Sequence, residues 1–219
     1  MRLRNIPGAR EEIEKNDWCI KDYYSRKGEW GRLFEGDGPL HLEIGMGKGR
    51  FLMELAGLHP EIHYAGMEMY SSVLLRALQK RQELEDEGIS FANLLFMRAD
   101  ARELEDIFAP GEVDRIYLNF SDPWPKARHA HRRLTSRQFL DRYEKVLSPG
   151  GYVIFKTDNR ELFDFSLEEA GEAGWRILHE TTDLHKDPVQ NRGNVLTEYE
   201  EKFSALGRPI CRLVYKPAL

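Results

Sequence analysis

The feature that most constrains the fold is an alternation, from Pro39 onward, of short apolar runs with longer amphipathic stretches. This alternation is typical of a sheet covered by helices on both faces. It predicts seven strands, at Leu40–Ile44, His63–Met67, Ala92–Met97, Asp114–Phe120, Tyr152–Thr157, Arg176–Glu180 and Cys211–Tyr215. Helices are predicted at Arg50–Leu58, Ser71–Glu87, Ser136–Leu147 and Glu161–Ala173, with a short one within Arg102–Phe108. Ser148–Gly151, which holds a proline and two glycines, is expected to be a helix-to-strand turn. The sequence therefore predicts an α/β fold.

One domain is expected to span all 219 residues. A chain of this length buries roughly 70% of its unfolded surface, so it can form one sizeable core. The first 38 residues are charged but also carry Trp18, Tyr23, Tyr24 and Trp30. We therefore predict that residues 1–38 form an N-terminal extension packed on the domain.

Charge and composition exclude several classes of protein. The net charge of -5 argues against a protein that coats nucleic acid over its whole surface, so any nucleic-acid site must be local. No apolar segment has the length of a membrane span, and no apolar run follows the first arginines as in a secretory signal. Cys19 and Cys211 have no CxxC partner or histidine cluster, which predicts neither a disulfide nor a metal site. We expect a cytoplasmic protein that is either a monomer or a homodimer.

A glycine-rich turn follows the first predicted strand, with glycines at Gly45, Gly47 and Gly49. Alternating glycines allow a ligand to approach the backbone closely. A dinucleotide-binding turn requires a third glycine at the position of Arg50, and the carboxylate of Glu43 would repel a diphosphate. The same carboxylate suits a cationic ligand, so the turn favours a cationic sulfonium-bearing amino acid over a dinucleotide.

Two further acidic residues follow the next two predicted strands. Glu68 comes about twenty residues after the turn, where an acidic side chain accepts hydrogen bonds from ribose hydroxyls. Asp100 follows the third strand and is placed to accept from an adenine amino group. A single acidic residue at a strand end is often merely solvated. Here, successive strand ends carry the glycine turn, Glu43, Glu68 and Asp100. Together they predict a ligand site for an adenosine-type cofactor.

After the fourth predicted strand comes a loop in which two prolines flank Trp124 and Asp122 precedes the first of them. Prolines stiffen a loop, so we expect Asp122 and Trp124 to be presented rather than buried. The segment from Lys126 to Arg137 holds five lysines and arginines and no acid. Basic segments are often merely solvent-exposed surface without a binding role. Because this one lies beside Asp122, it predicts a site where a nucleic-acid backbone binds and a base enters the pocket.

Four segments together resemble the bacterial tRNA (guanine-N7-)-methyltransferases. They are the glycine turn, the Asp122-Pro-Trp-Pro-Lys126 loop with its trailing arginines, Phe155–Asn159 and Thr197–Phe203. The resemblance runs in order from about Trp30 to Phe203. It implies a Rossmann-like class I methyltransferase fold with a mostly parallel seven-stranded sheet, S-adenosylmethionine as cofactor, S-adenosylhomocysteine as product, and tRNA as substrate.

The resemblance also implies roles for individual residues. Positions matching Glu43, Glu68, Asp100 and Asp122 contact the cofactor, beside Gly45, Gly47 and Gly49, and Asp122 is the catalytic residue. Substrate contacts are implied for Lys126, Asp158, Thr197, Glu198, Tyr199 and Glu200. Arg128, His129, His131, Arg132 and Arg133 would face the RNA backbone. The methylated atom would be N7 of a guanine in the variable loop.

Guanine N7 carries a free lone pair, so its methylation requires no strong base. The site must align the reacting atoms and stabilise positive charge on the purine, and the carboxylate of Asp122 suits both tasks. Alternatives are methylation of an exocyclic amino group, a dinucleotide-dependent oxidoreductase and a non-catalytic RNA-binding module. Thr197 and Glu200 also fit a purely structural helix start, with Thr197 as the cap and Glu200 as its capping-box partner.

Overall fold

The computed structural model describes residues 5–218 and contains an eight-stranded sheet between two layers of helices. The strands are β1 (Cys19–Ile20), β2 (Leu40–Ile44), β3 (His63–Met67), β4 (Leu94–Met97), β5 (Val113–Asn119), β6 (Leu147–Thr157), β7 (Arg176–Thr181) and β8 (Cys211–Lys216). The helices are α1 (Ala9–Lys15), α2 (Arg50–Leu58), α3 (Ser71–Asp86), α4 (Leu104–Ile107), α5 (Arg137–Val146), α6 (Arg160–Glu172) and α7 (Glu198–Ala205).

The strand order is β1-β4-β3-β2-β5-β6-β8-β7. All pairs from β1 to β6 are parallel, whereas β8 runs antiparallel to both β6 and β7. Successive strands leave β2 first towards β4 and then, from β5, in the opposite direction. Open α/β sheets bind their ligands at such a switch point, beyond the carboxyl ends of the strands. The predicted mostly parallel α/β sheet is confirmed.

Two sequence-based expectations about the sheet need correction. The sheet has eight strands rather than seven, because Cys19 and Ile20 pair with Phe96 and Met97 at its edge. Two residues are too few to show a strand periodicity. The expected turn at Ser148–Gly151 is part of β6, whose pairing shifts register opposite Val113 and Arg115. A bulge therefore accommodates the proline and glycines within the strand.

Each face of the sheet carries its own hydrophobic cluster. One face packs against α4, α5 and α6, with Phe139 and Tyr143 of α5 in the cluster. The other packs against α1, α2 and α3 and includes Phe51 and Leu74. The residues of β2 and β3 are all buried, as expected for central parallel strands covered on both faces. Among the described residues, no helix has the length and apolar character required to cross a membrane.

Residues 5–38 of the predicted N-terminal extension lie against the sheet and its helices, and residues 1–4 lie outside the described residues. Trp30 is fully buried, and its indole Nε1 donates to the carbonyl oxygen of Ile107 at 3.0 Å. The Glu112 carboxylate accepts from the backbone N–H groups of Gly28 and Trp30 at 2.9 and 2.8 Å. A buried tryptophan with a satisfied ring nitrogen fixes this segment to the end of α4.

Candidate active site

Four acidic residues lie at the carboxyl ends of neighbouring parallel strands. Glu43 belongs to β2, while Glu68, Asp100 and Asp122 follow β3, β4 and β5. Burial raises the pKa of Glu68, and the charge of Asp122 adds to that rise. Burial also raises the pKa of Glu43, to which the charge of Glu68 contributes. Because β3, β2 and β5 are neighbouring parallel strands, Glu43, Glu68 and Asp122 share the carboxyl edge of the sheet.

The glycine turn joins β2 to α2 at the same edge. Gly45, Gly47 and Gly49 have φ angles of 74°, 60° and 74°, in the left-handed region that favours glycine. The N–H groups of Gly45 and Met46 donate to the carbonyl oxygen of Met67 at 2.9 and 3.2 Å. Within residues 5–218, a Cβ atom added at Gly45 or Gly47 would meet nothing closer than 4 Å. The turn is therefore fixed to β3 and has an open side where a ligand can lie.

Glu43 is a buried carboxylate beside this turn, with 2% of its surface exposed. Its Oε1 accepts from the Asn119 side-chain amide at 2.8 Å. Neither Oε2 of Glu43 nor Oδ1 of Asn119 has a hydrogen-bond partner in the described part of the chain. Burial raises the pKa of Glu43 to about 8. Unpaired buried acceptors are costly, so these two oxygens call for a ligand that donates hydrogen bonds, and a cationic one suits Glu43 best.

Glu68 fastens the glycine turn to the end of β3. One carboxylate oxygen accepts from the N–H of Gly47 at 3.2 Å, and the other accepts from the N–H of Tyr70 at 2.9 Å. The side chain is almost completely buried. Glu68 therefore has a structural role in shaping the turn, and each of its oxygens keeps a lone pair for a further donor.

Asp100 lies at the expected strand end, but its carboxylate is engaged by a neighbour. The Arg102 guanidinium donates to both of its oxygens at 2.6 to 3.0 Å, and the Arg102 N–H donates to Oδ1 at 2.9 Å. Hydrogen bonding from Arg102 lowers the pKa of Asp100. The Arg102 side chain is 72% exposed, so it can swing away into water. A ligand contact by Asp100 would compete with this pair.

The loop after β5 is held in an unusual backbone conformation around Asp122. Phe120 and Trp124 have φ angles of 52° and 41°, which strain residues other than glycine. The Arg133 guanidinium donates to the carbonyl oxygens of Pro123 and Trp124 at 2.9 and 3.2 Å. Asp122 itself is exposed and Trp124 is half-buried. The loop therefore presents Asp122 on a frame that other residues fix.

The basic segment after this loop forms a short 3-10 helix, Ala127–Arg132. Lys126, Arg128, His131 and Arg132 are exposed, and His129 is half-buried. The Arg132 guanidinium lies 5.0 Å from the centre of the Trp124 ring. Arg133, by contrast, points inward to the loop carbonyls. Of the residues expected to face an RNA backbone, Arg133 is therefore better placed to brace the loop.

Helix α7 is tied to the glycine turn by ion pairs. Lys48 donates to Glu198 at 2.9 Å, and Arg50 binds both carboxylate oxygens of Glu201 at 2.5 and 2.7 Å. These side chains are 39% to 58% exposed. Arg50, which in the sequence only breaks the dinucleotide pattern, thus connects two elements 151 residues apart.

Of the predicted capping box at the start of α7, the Thr197 cap is confirmed and the Glu200 partner is wrong. The Thr197 hydroxyl accepts from the N–H of Glu200 at 3.0 Å, which is the expected cap. The carboxylate of Glu200 does not return to Thr197. It is completely buried and binds Lys156 at 2.6 Å, His185 at 2.9 Å and Asn194 at 2.7 Å. Because a buried lysine requires a counter-charge, the pair overrides the capping box.

The other residues expected to contact substrate lie around this helix. Glu198 and Tyr199 face outward, whereas Asp158 is paired with Arg208 at 3.1 Å. The Tyr199 ring is stacked 6.2 Å from Phe120 and 6.1 Å from Phe203. These three aromatic residues connect α7 with the loop that carries Asp122.

Sequence patterns missed several residues of this site. Asn119, Lys156, His185 and Asn194 belong to it through contacts between distant segments. Phe120 belongs through its stacked ring and positive φ. Asn119 and Lys156 are each the last residue but one of a predicted strand at the ligand-binding edge, and that position alone could have marked them. His185 lies in a short 3-10 helix, Leu184–Lys186, and Asn194 lies in irregular chain. Neither position carries such a signal.

A separate cavity of about 460 Å³ lies at the opposite edge of the sheet, where β2 and β3 begin. Phe34, Gly38 and His63 line it, and it contains none of the four strand-end carboxylates. The candidate active site is therefore the carboxyl edge, which the chemistry of its side chains identifies.

The chain resembles known proteins over most of its length. The family model described as "Putative methyltransferase" matches residues 37–213. A tRNA (guanine-N(7)-)-methyltransferase of Lachnoclostridium phytofermentans is 57% identical, with 98% of this chain and 97% of that protein covered. One of Bacillus subtilis is 46% identical, with 97% of each covered.

Solved structures agree on the fold. The 16S rRNA methyltransferase KamB has a TM-score of 0.62 at 16% identity, with 86% of this chain and 91% of that chain covered. Identity this low is informative about the fold only. The relatives of high identity, which span nearly the whole chain, show that it belongs to the tRNA (guanine-N(7)-)-methyltransferase family.

Proposed function

We propose that this protein transfers a methyl group from S-adenosylmethionine to N7 of a guanine in the variable loop of tRNA. The observation that carries the proposal is the set of carboxylates around the glycine turn, namely Glu43, Glu68 and Asp122, in a chain of this family. Such a substrate would also place the protein in the cytoplasm.

The residues at the carboxyl edge fit an adenosine cofactor with a cationic amino-acid part. The unpaired Oε2 of Glu43 and Oδ1 of Asn119 are two buried acceptors beside the open side of the glycine turn. Glu68 keeps lone pairs for the ribose hydroxyls, and Asp100 can accept from the adenine amino group once Arg102 releases it. When bound, S-adenosylmethionine would supply an electrophilic methyl group and leave as S-adenosylhomocysteine.

Asp122 is proposed as the catalytic residue. Guanine N7 has a lone pair available, so the protein need not remove a proton before methyl transfer. Asp122 would accept hydrogen bonds from the guanine N1–H and amino group, which orients N7, and its charge would stabilise the purine as it becomes cationic. The strained frame formed by Phe120, Trp124 and Arg133 supports this role, because it fixes Asp122 before substrate arrives.

The tRNA would be held on both sides of Asp122. Lys126, Arg128, His129, His131 and Arg132 supply a local positive surface for phosphates on a chain of net negative charge. On the other side, Tyr199 exposes 54% of its surface beside Phe120, which suits stacking on an extruded base. Glu198 and Asp158 would contribute polar contacts at this rim, and Thr197 and Glu200 would contribute through the position of α7.

The test is transfer of labelled methyl from S-adenosylmethionine to unmodified tRNA transcripts, followed by borohydride and aniline treatment. Chain cleavage at a variable-loop guanine is expected, since N7-methylguanosine is labile to this treatment. Methyl incorporation without cleavage would instead indicate an exocyclic amino group as acceptor. A transcript in which the variable-loop guanine is replaced by adenine serves as the matched control and should take up no label at that site.

A further inference from the structure

Lys156, at the end of β6, is a buried cation for which the proposed chemistry has no use. Only 3% of its side chain is exposed. Its ammonium group donates to Oε2 of Glu200 at 2.6 Å, to the carbonyl oxygen of Val195 at 2.9 Å and to Oδ1 of Asn194 at 3.1 Å. All three of its hydrogens thus have acceptors, and all three acceptors belong to α7 or to the segment before it.

The carboxylate of Glu200 is equally saturated. Its second oxygen accepts from His185 at 2.9 Å and from the Asn194 amide at 2.7 Å. Burial acts to raise the pKa of Glu200. The charge of Lys156 and the hydrogen bonds from Lys156, His185 and Asn194 together outweigh it, so the pKa lies below its ordinary value. Burial also lowers the pKa of Lys156, and the charge and hydrogen bond of Glu200 oppose that fall. The contact of 2.6 Å between the two groups fixes the first turn of α7 to the sheet.

The pair continues a polar row that begins in the cofactor site. Lys156 on β6 is in register with Asn119 on β5, and Asn119 donates to Glu43 on β2 at 2.8 Å. Burial raises the pKa of Glu43, while the Asn119 hydrogen bond and the Lys156 charge oppose that rise. Lys156 thus lies between two buried carboxylates, one at the glycine turn and one in α7.

We propose that Lys156 is a positioning residue that couples occupation of the cofactor site to the placement of α7, and with it of Tyr199. The inference rests on the proposed function for the identity of the cofactor. A cationic group at Glu43 favours the ionised form of that carboxylate. The negative charge of Glu43 in turn favours the protonated Lys156 ammonium, which is the form that binds Glu200, Val195 and Asn194. Cofactor binding then holds α7 more firmly, with Tyr199 stacked on Phe120.

Coupling through Lys156 can be distinguished by experiment from coupling through the surface ion pairs of α7. Lys48–Glu198 and Arg50–Glu201 also join α7 to the glycine turn, but they are exposed and are screened by salt. The buried Lys156–Glu200 pair is screened much less. At high salt, coupling through the surface pairs should fade, whereas coupling through Lys156 should persist.

The experiment is amide hydrogen exchange of residues 198–205 with and without S-adenosylhomocysteine, in about 1 M salt, where the Debye length is about 3 Å. In the wild-type protein we expect the ligand to slow exchange in α7 about tenfold. Lys156→Met should abolish that protection while binding the ligand within a few-fold of wild type. Lys156→Arg should restore part of it. Lys145→Met, which breaks the exposed ion pair between Lys145 on α5 and Glu105 on α4, should behave as wild type.

Steady-state kinetics supply a second readout. If α7 is misplaced, Lys156→Met should raise the KM for tRNA about tenfold and leave the KM for S-adenosylmethionine nearly unchanged. If this variant fails to fold, Lys156→Met/Glu200→Leu removes both buried charges and should fold with α7 uncoupled.

Equal ligand protection of α7 in wild type and the folded Lys156 variants would overturn the inference, even if tRNA methylation is confirmed. Absence of ligand binding by the wild-type protein would overturn it too. Conversely, loss of α7 protection in a protein that does not methylate tRNA would refute the proposed substrate and leave the coupling in place.

Discussion

The glycine turn and α7 lie on either side of the same active-site edge, yet different forces hold them. The turn is fixed by backbone and carboxylate hydrogen bonds to β3, within about 20 residues of chain. Helix α7 is fixed by ion pairs to residues 44 to 151 positions away. Hydrogen bonds of the first kind are little affected by salt, whereas exposed ion pairs are screened. The comparison indicates a rigid cofactor side and a substrate side whose placement depends on charge.

The largest effect is expected at Asp122, which lies between the two sides. Asp122→Asn keeps the shape of the side chain and removes its charge, so kcat should fall roughly 100-fold or more, as for loss of one preorganised electrostatic group. Cofactor affinity should change by only a few-fold. The measurement is single-turnover methyl transfer together with calorimetric cofactor binding.

Asp86→Asn is the matched control for Asp122. Asp86 ends α3, and α3 starts at the carboxyl edge and runs back to the opposite one. This variant should retain wild-type kinetics. Methylation by Asp122→Asn within a few-fold of wild type at equal cofactor affinity would refute an electrostatic role for Asp122.

The second-largest effect is expected at Glu43, on the cofactor side. Glu43→Gln should weaken S-adenosylhomocysteine binding about tenfold to 100-fold near pH 8, because it removes the negative charge that would pair with the α-ammonium group of this ligand. In the wild-type protein, affinity should rise with pH up to about 8, the pKa of Glu43, since the ligand favours the ionised form. The variant should lack this dependence. Glu83→Gln, an exposed carboxylate of α3, is the control and should keep it.

Glu43 also predicts a pH dependence of stability. Its pKa in the folded protein lies above the ordinary value of 4.5, so folding favours the neutral form. The contribution of this neutral form is fully present below pH 4.5 and is lost as the pH rises through about 8. Without ligand, Glu43→Gln should therefore be increasingly more stable than wild type across that window, as measured by denaturant unfolding. Equal pH profiles for the two proteins would show that folding does not raise the pKa of Glu43.

The sequence predicts the glycine-turn side of the site better than it predicts the α7 side. The bounds of β2, β3 and α2 were predicted to the residue, because each is a continuous apolar or amphipathic segment beside a glycine signal. The Lys156–Glu200 pair was not predicted, because nothing local to either residue reveals a partner 44 positions away. The capping-box interpretation of Glu200, one of the two that its local sequence allows, fails for the same reason. Local patterns thus describe the rigid side of the site and miss the charged contacts that place α7.

A smaller effect separates two adjacent arginines on the substrate side. Arg132 is exposed beside Trp124, and Arg133 braces the Asp122 loop. Arg132→Gln should lower tRNA affinity several-fold and reduce the slope of log affinity against log salt by about one. Arg133→Gln should leave that slope unchanged and lower kcat about tenfold, because the loop frame is loosened. Filter binding over a salt series and single-turnover rates distinguish them. Interchanged results would mean that Arg133 contacts the phosphates and Arg132 holds the loop.

The smallest effect tests whether the cofactor side is as rigid as the comparison implies. Asp100 is its exception, since its carboxylate is occupied by the exposed Arg102. If Asp100 accepts from the adenine amino group, Arg102→Gln removes a competitor and should tighten S-adenosylhomocysteine binding two- to threefold, about the size of a weak surface ion pair. Asp100→Asn in the same background should reverse the gain. Weaker binding by Arg102→Gln would instead mean that Arg102 holds Asp100 in the orientation that the cofactor requires, and the ion pair would then belong to the preorganised site.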